Sequence, residues 1–143
     1  MSMITWINYG YGICTDSLES VELSKIKELI HLAPKYEAHI KEVFKSNDIT
    51  EPTAEDYLEA AEYYGVASIL AEVIDEVEGI RLDACDNEDG ERYLLFSACY
   101  PWQLTDAERN FTEESLRDLF LKYAAVLSDD PPVADYQRVE NFG

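Results

Sequence analysis

Between Lys45 and Arg81 the chain carries ten Asp and Glu residues and no Lys or Arg. Glu55, Glu59 and Glu62 recur at i, i+4 and i+7, and Glu72 and Glu76 are four apart with Asp75 beside them. On a helix such spacing puts carboxylates on one face, about 6 Å from one another. That is close to the separation of successive phosphates along a nucleic-acid strand. Like charges so placed cost ~0.2–0.5 kcal/mol per pair, and most surfaces avoid this by mixing signs. The chemistry open to such a ridge is recognition: it could enter a basic groove and displace nucleic acid by steering and direct pairing. The plainer alternative is a solvated acidic surface that keeps a small protein dispersed. Tyr63 and Tyr64, beside Gly65, and Tyr9 and Tyr11, around Gly10 and Gly12, add candidate interface anchors; packing at the core and its rim is the other use for them. The expected partner-binding set is Glu55, Glu59, Glu62, Glu72, Asp75, Glu76, Tyr63 and Tyr64. The partner expected for it is a basic protein, best a nucleic-acid-binding enzyme.

Other chemistries find less support. His31 and His39, the only histidines, are eight apart across Pro34, whereas a helical zinc pair needs a spacing of three or four. No CxxC occurs. A zinc site from Cys14, Cys85, Cys99 and a histidine would have to be assembled by the fold. Asp83, Asp86, Glu88, Asp89 and Glu91 crowd around Gly90, but Cys85 and Phe96 stand where a calcium loop of the EF-hand type needs acids. Tyr9-Gly-Tyr-Gly12 lacks the third glycine of a dinucleotide fingerprint, because Thr15 stands there. No G-x-S-x-G or P-loop is present. No cofactor, metal site or catalytic residue is expected. The reading from a different class is a small enzyme using Cys14 near the glycines with a cross-strand carboxylate.

These residues must be held by identifiable elements. Met3–Tyr9 is β-branched and aromatic and predicts a strand, followed by a turn at Gly10–Gly12. Ile26, Leu29, Ile30 and Ala33 form a helical stripe. Pro34 ends that helix or begins another, which carries Tyr36, Ile40, Val43 and Phe44. Thr53 and Asp56 predict an N-cap with an acidic first turn. The apolar stripe Ala54–Tyr64 and the stripe Val66–Val77 would lie on nearly opposite sides of one continuous helix. A break at Gly65, acting as a C-cap, resolves the conflict; a long helix buried on both sides is the other solution. Gly79–Ala84 alternates as a half-buried strand does, Asp89-Gly90 marks a hairpin turn, and Tyr93–Tyr100 reads as a central strand ended by Pro101. Thr112 opens a helix bearing Leu116, Leu119, Phe120, Tyr123 and Leu127, and Pro131–Pro132 follows its end. Val133–Gly143 adds a short strand or drapes over the surface. The expected fold is a single α+β domain: a small antiparallel sheet of three to four strands with four to five helices on one face.

Length and composition agree. The chain has 143 residues, 47% of them hydrophobic, enough for one core. Thirty acids against eleven bases give a net charge of −19. Such a surface does not bind nucleic acid or an anionic membrane directly, since both require basic residues. Met1–Cys14 contains no Lys or Arg, unlike a secretory signal, and three cysteines are a sparse, odd set; the expected location is the cytoplasm.

Thr5–Cys14, Ala98-Cys-Tyr-Pro-Trp102 and Thr112–Leu116 together resemble segments of small acidic proteins of gut Firmicutes and their phages or mobile elements. The likeness covers about a third of the chain and brings no functional residue with it. It implies a counter-defence or other accessory role. The acidic balance is also similar to that of nucleic-acid-mimic inhibitors such as antirestriction and anti-CRISPR proteins, on charge alone. The expected function is therefore that of a non-catalytic acidic inhibitor, with an immunity-type protein that neutralises a basic toxin as the alternative.

Overall fold

The computed structural model of the chain describes residues 5–61, 63–96 and 112–142. The elements run β1 (Thr5–Cys14), α1 (Leu23–His31), α2 (Pro34–Ser46), α3 (Ala54–Ala60), α4 (Val66–Glu78), β2 (Asp83–Asp86), β3 (Arg92–Phe96), α5 (Glu113–Leu127) and β4 (Asp135–Phe142), with a 3-10 turn at Asp16–Leu18. The strands form one antiparallel sheet in the order β2-β3-β1-β4. This is the α+β fold that the periodicities imply.

β1 runs through Gly10 and Gly12, so the expected turn there is not made. Packing explains it. A Cβ on Gly12 would overlap the Leu94 carbonyl oxygen and lie 2.9 Å from Leu95 Cα. The glycine is what lets β3 lie against β1, with Gly12 opposite Leu95 and Ile13 opposite Leu94. On the other side β1 pairs with β4 from Thr5↔Phe142 to Gly12↔Asp135. The C-terminal segment is thus a full strand of eight residues rather than a short or draped one. The Tyr11 hydroxyl donates to the Ala134 carbonyl oxygen at 3.2 Å, which pins the entry to β4.

The predicted strand at Gly79–Ala84 is displaced. Ile80 and Leu82 are buried in alternation, but pairing with β3 begins only at Asp83. Of the predicted strand Tyr93–Tyr100, the part up to Phe96 is confirmed; residues 97–100 lie outside the described residues, as do Cys99, Pro101 and Trp102.

The described helices pack on the sheet face that carries Tyr11, Ile13 and Leu94. α4 packs on β2 and β3, and α5 on β1; α1 lies against α4 and α5, α2 against α1 and α4, and α3 against α1 and α2. The core joins Tyr11, Ile13 and Leu94 of the sheet to the α1, α4 and α5 stripes, among them Leu29, Ile69, Val73, Phe120 and Tyr123. Two helix starts have a local cap. Thr53 and Asp56 form a reciprocal capping box on α3. The Thr112 hydroxyl accepts from Ser115 N–H at the start of α5. No helix among the described residues is long and apolar enough to cross a membrane.

Candidate functional site

α3 and α4 are separate helices, and the bend between them divides the predicted ridge. α3 ends at Ala60, and α4 begins after Gly65, whose φ of 53° and ψ of −121° suit glycine. The break is where the opposed stripes place it, but Gly65 is the N-cap of α4 rather than the C-cap of α3. The space beside it is taken by the Arg92–Glu19 ion pair (3.5 Å). Burial pushes the Glu19 carboxyl up, against the Arg92 guanidinium and the Val66 amide, which pull it down. Glu19 therefore belongs to the framework that holds the bend.

Glu55 and Glu59 are exposed on α3, and Glu72 and Asp75 are exposed on α4. Among the described residues, none of these four is ion-paired. Glu62 lies outside the described residues.

Glu76 has a different role from the one its spacing suggests. Its two carboxylate oxygens accept from the N–H groups of Lys35 (3.0 Å) and Tyr36 (2.8 Å). These are the free donors at the start of α2. Pro34 has no N–H to satisfy, and Ala33 has no side-chain acceptor, so the cap comes from α4 instead. A carboxylate at a helix N-terminus also meets the favourable end of the helix dipole. Glu76 is thus a structural cap, not a free member of the ridge. Glu76→Ala should destabilise the fold by about 1–2 kcal/mol, because two donors lose a charged acceptor. Glu72→Ala, one turn earlier on α4, should stay within about 0.5 kcal/mol of wild type. Urea denaturation of both variants checks the contrast.

This cap brings α2 against the acidic helix. Lys35, Tyr36 and His39 of α2 face Glu72, Asp75 and Glu76 across a cleft of about 440 Å³ that Ala60 and Ala61 also line. The Tyr36 and His39 rings are stacked, with centroids 6.5 Å apart. The α4 half of the acidic surface therefore has basic neighbours, which the Lys- and Arg-free stretch of sequence conceals. The signal for this contact was available in Ala33-Pro34, a helix start with no acceptor of its own.

The tyrosines divide in the same way. Tyr63 is 85% exposed with a φ of 51°, so it is available for contact. Tyr64 packs partly against the core. Burial, with Asp86 and Cys85 adding to it, raises its hydroxyl pKa. Tyr11, only 4% exposed, is a core residue. The side chain of Tyr9 lies outside the described residues.

No family model, curated protein or solved structure matches this chain.

Cys14, Asp16 and Glu91 place one ligand atom each within 4.8 Å of one another, the one group of potential metal ligands among the described residues. Two of the three are exposed acids. Burial raises the Cys14 thiol pKa; a backbone hydrogen bond at Asp16 opposes this, while the Asp16 and Glu91 charges reinforce it. That is the reverse of an activated nucleophile, whose surroundings favour the thiolate. Cys85 is pushed up to about 11, by burial first and then by Asp83 and Asp86. His31 is bound to Glu37 at 3.1 Å.

Proposed function

We propose that this chain is a non-catalytic acidic binding protein whose α3–α4 side occupies a basic surface of a partner protein. The partner is best described as a nucleic-acid-binding enzyme, and the mode as imitation of a phosphate strand in the manner of a counter-defence inhibitor working in the cytoplasm. The observation that supports this reading is the set Glu55, Glu59, Glu72 and Asp75: four exposed carboxylates on successive helices, without ion pairs among the described residues, with the exposed Tyr63 between them. Unpaired carboxylates can exchange water for a partner's Arg and Lys without first breaking internal bridges. Glu37, Glu78 and Glu113, by contrast, are already paired with Lys41, Lys122 and Arg117. The test is reversal of the four residues to Lys with Glu76 retained, so that α2 keeps its cap. The variant should fold as wild type does, by circular dichroism and melting temperature, because all four side chains lie outside the core. It should lose binding to the partner, and wild-type binding should fall steeply with salt, since exposed charges are screened over ~8–10 Å at physiological ionic strength.

A further inference from the structure

We infer that α3 is a hinged arm, docked on α1 and α2 in the free protein and able to swing away while α4 and the sheet stay folded. The inference rests on the acidic-face reading only for its purpose.

Among the described residues, two non-glycine residues have positive φ: Asp48 at 57° and Tyr63 at 51°. They bracket α3. Asp48 sits at the end of α2, where the Ile49 N–H bonds to the Phe44 carbonyl oxygen at 2.9 Å. Aspartate tolerates that conformation. Tyr63 is bulky and almost fully exposed, so little packing compensates its left-handed backbone. A change of dihedral relieves strain at Tyr63, and Asp48 supplies a second position where the chain can turn; hinges are such residues at element ends that absorb φ and ψ changes.

The helix between them is weakly held. α3 has seven residues and none is buried, whereas α4 buries six. It docks on α1 and α2 through the Tyr57 ring, edge-on to Phe44 with centroids 4.9 Å apart, and the half-buried Ala54 and Leu58; the buried residue nearest to it is Ala61, at its C-cap. A helix this short does not persist in water by itself. Undocking therefore melts it, and its amides report the opening. The swing moves Glu55 and Glu59 relative to Glu72 and Asp75, which α4 fixes to the core. One half of the acidic face is rigid, and the other can adjust to a partner's charge spacing.

Amide hydrogen exchange by NMR on the full chain, with no partner present, tests this. The α3 amides of Tyr57 to Ala60 should be at least about tenfold less protected than those of Ile69–Ile74 in α4. Tyr57→Ala should lower α3 protection by about a further tenfold and leave α4 unchanged. Tyr63→Gly should raise α3 protection by about fivefold, because glycine bears the left-handed backbone without strain. Equal protection of α3 and α4 in the wild type would overturn the inference, as would an equal loss in both helices on Tyr57→Ala. Exchange reads the arm without a ligand, so its failure is separate from failure of the acidic-face reading.

Discussion

Gly12→Ala should cost ~3 kcal/mol or more and lower the melting temperature by roughly 6–12 °C. The expected loss comes from space rather than from dihedral preference. The added methyl would meet the Leu94 carbonyl oxygen and the Leu95 Cα of the neighbouring strand. Those are backbone atoms in the middle of a sheet, and they cannot rotate aside. β1 would have to move from β3, and it carries Tyr11 and Ile13, which pack into the core. Thermal melting followed by circular dichroism reads the effect. An alanine variant as stable as wild type would mean that the β1–β3 contact is looser than the register implies.

Gly65→Ala should cost about 2 kcal/mol for two separate reasons. Its φ of 53° with ψ of −121° is a conformation that a Cβ opposes. That Cβ would also stand 2.7 Å from Arg92 Nη1 and 3.1 Å from Glu19 Oε2, pressing on the ion pair behind the bend. Gly79→Ala gives the milder comparison, because Gly79 has a φ of 72° and a ψ of 26°, the left-handed helical region, with open space around it. It should cost about 1 kcal/mol, less than Gly65→Ala, whose backbone conformation lies outside that region. Urea denaturation of both variants gives the comparison. An unchanged or raised stability for Gly65→Ala would point instead to a helix running through this position, where alanine is the better residue.

The elements with a clear period were legible before the fold was seen. Ile26, Leu29 and Ile30 mark α1, and Leu116 to Leu127 mark α5, because a 3.6-residue repeat is a local property. The bend at Gly65 was legible for the same reason: two stripes out of phase cannot face one core. What stayed hidden depends on contacts between distant residues. Nothing near Gly12 in sequence indicates that Leu94 and Leu95 will lie against it, so a close strand crossing resembled a turn. Val133–Gly143 has little periodicity, and its strand exists because β1 offers an edge to pair with.

The site was legible to the same degree. Glu55, Glu59, Glu72 and Asp75 are exposed, as the polar helix faces imply. Glu76 satisfies the same helical spacing as its neighbours, yet the fold uses it to cap α2. Spacing along one helix cannot reveal which carboxylate meets another helix's free amides. Lys35 and His39 lie far from α4 in sequence, yet they face the acidic helix across a cleft, which no local pattern indicates.

The central claim is that position, not net charge, makes the acidic face bind. Three proteins test it against a partner recovered from host lysate by salt elution and then purified. They are the wild type, the variant with Glu55, Glu59, Glu72 and Asp75 reversed to Lys, and a control with the exposed Glu42, Glu88, Asp89 and Asp130 reversed to Lys. Both variants carry the same net charge. Dissociation constants are measured at low and high salt, with and without competing DNA or RNA. The account predicts that wild type and control bind alike, that salt and nucleic acid weaken both, and that the face variant loses at least tenfold in affinity. Equal binding by the two variants, whether both keep the partner or both lose it, would contradict the account.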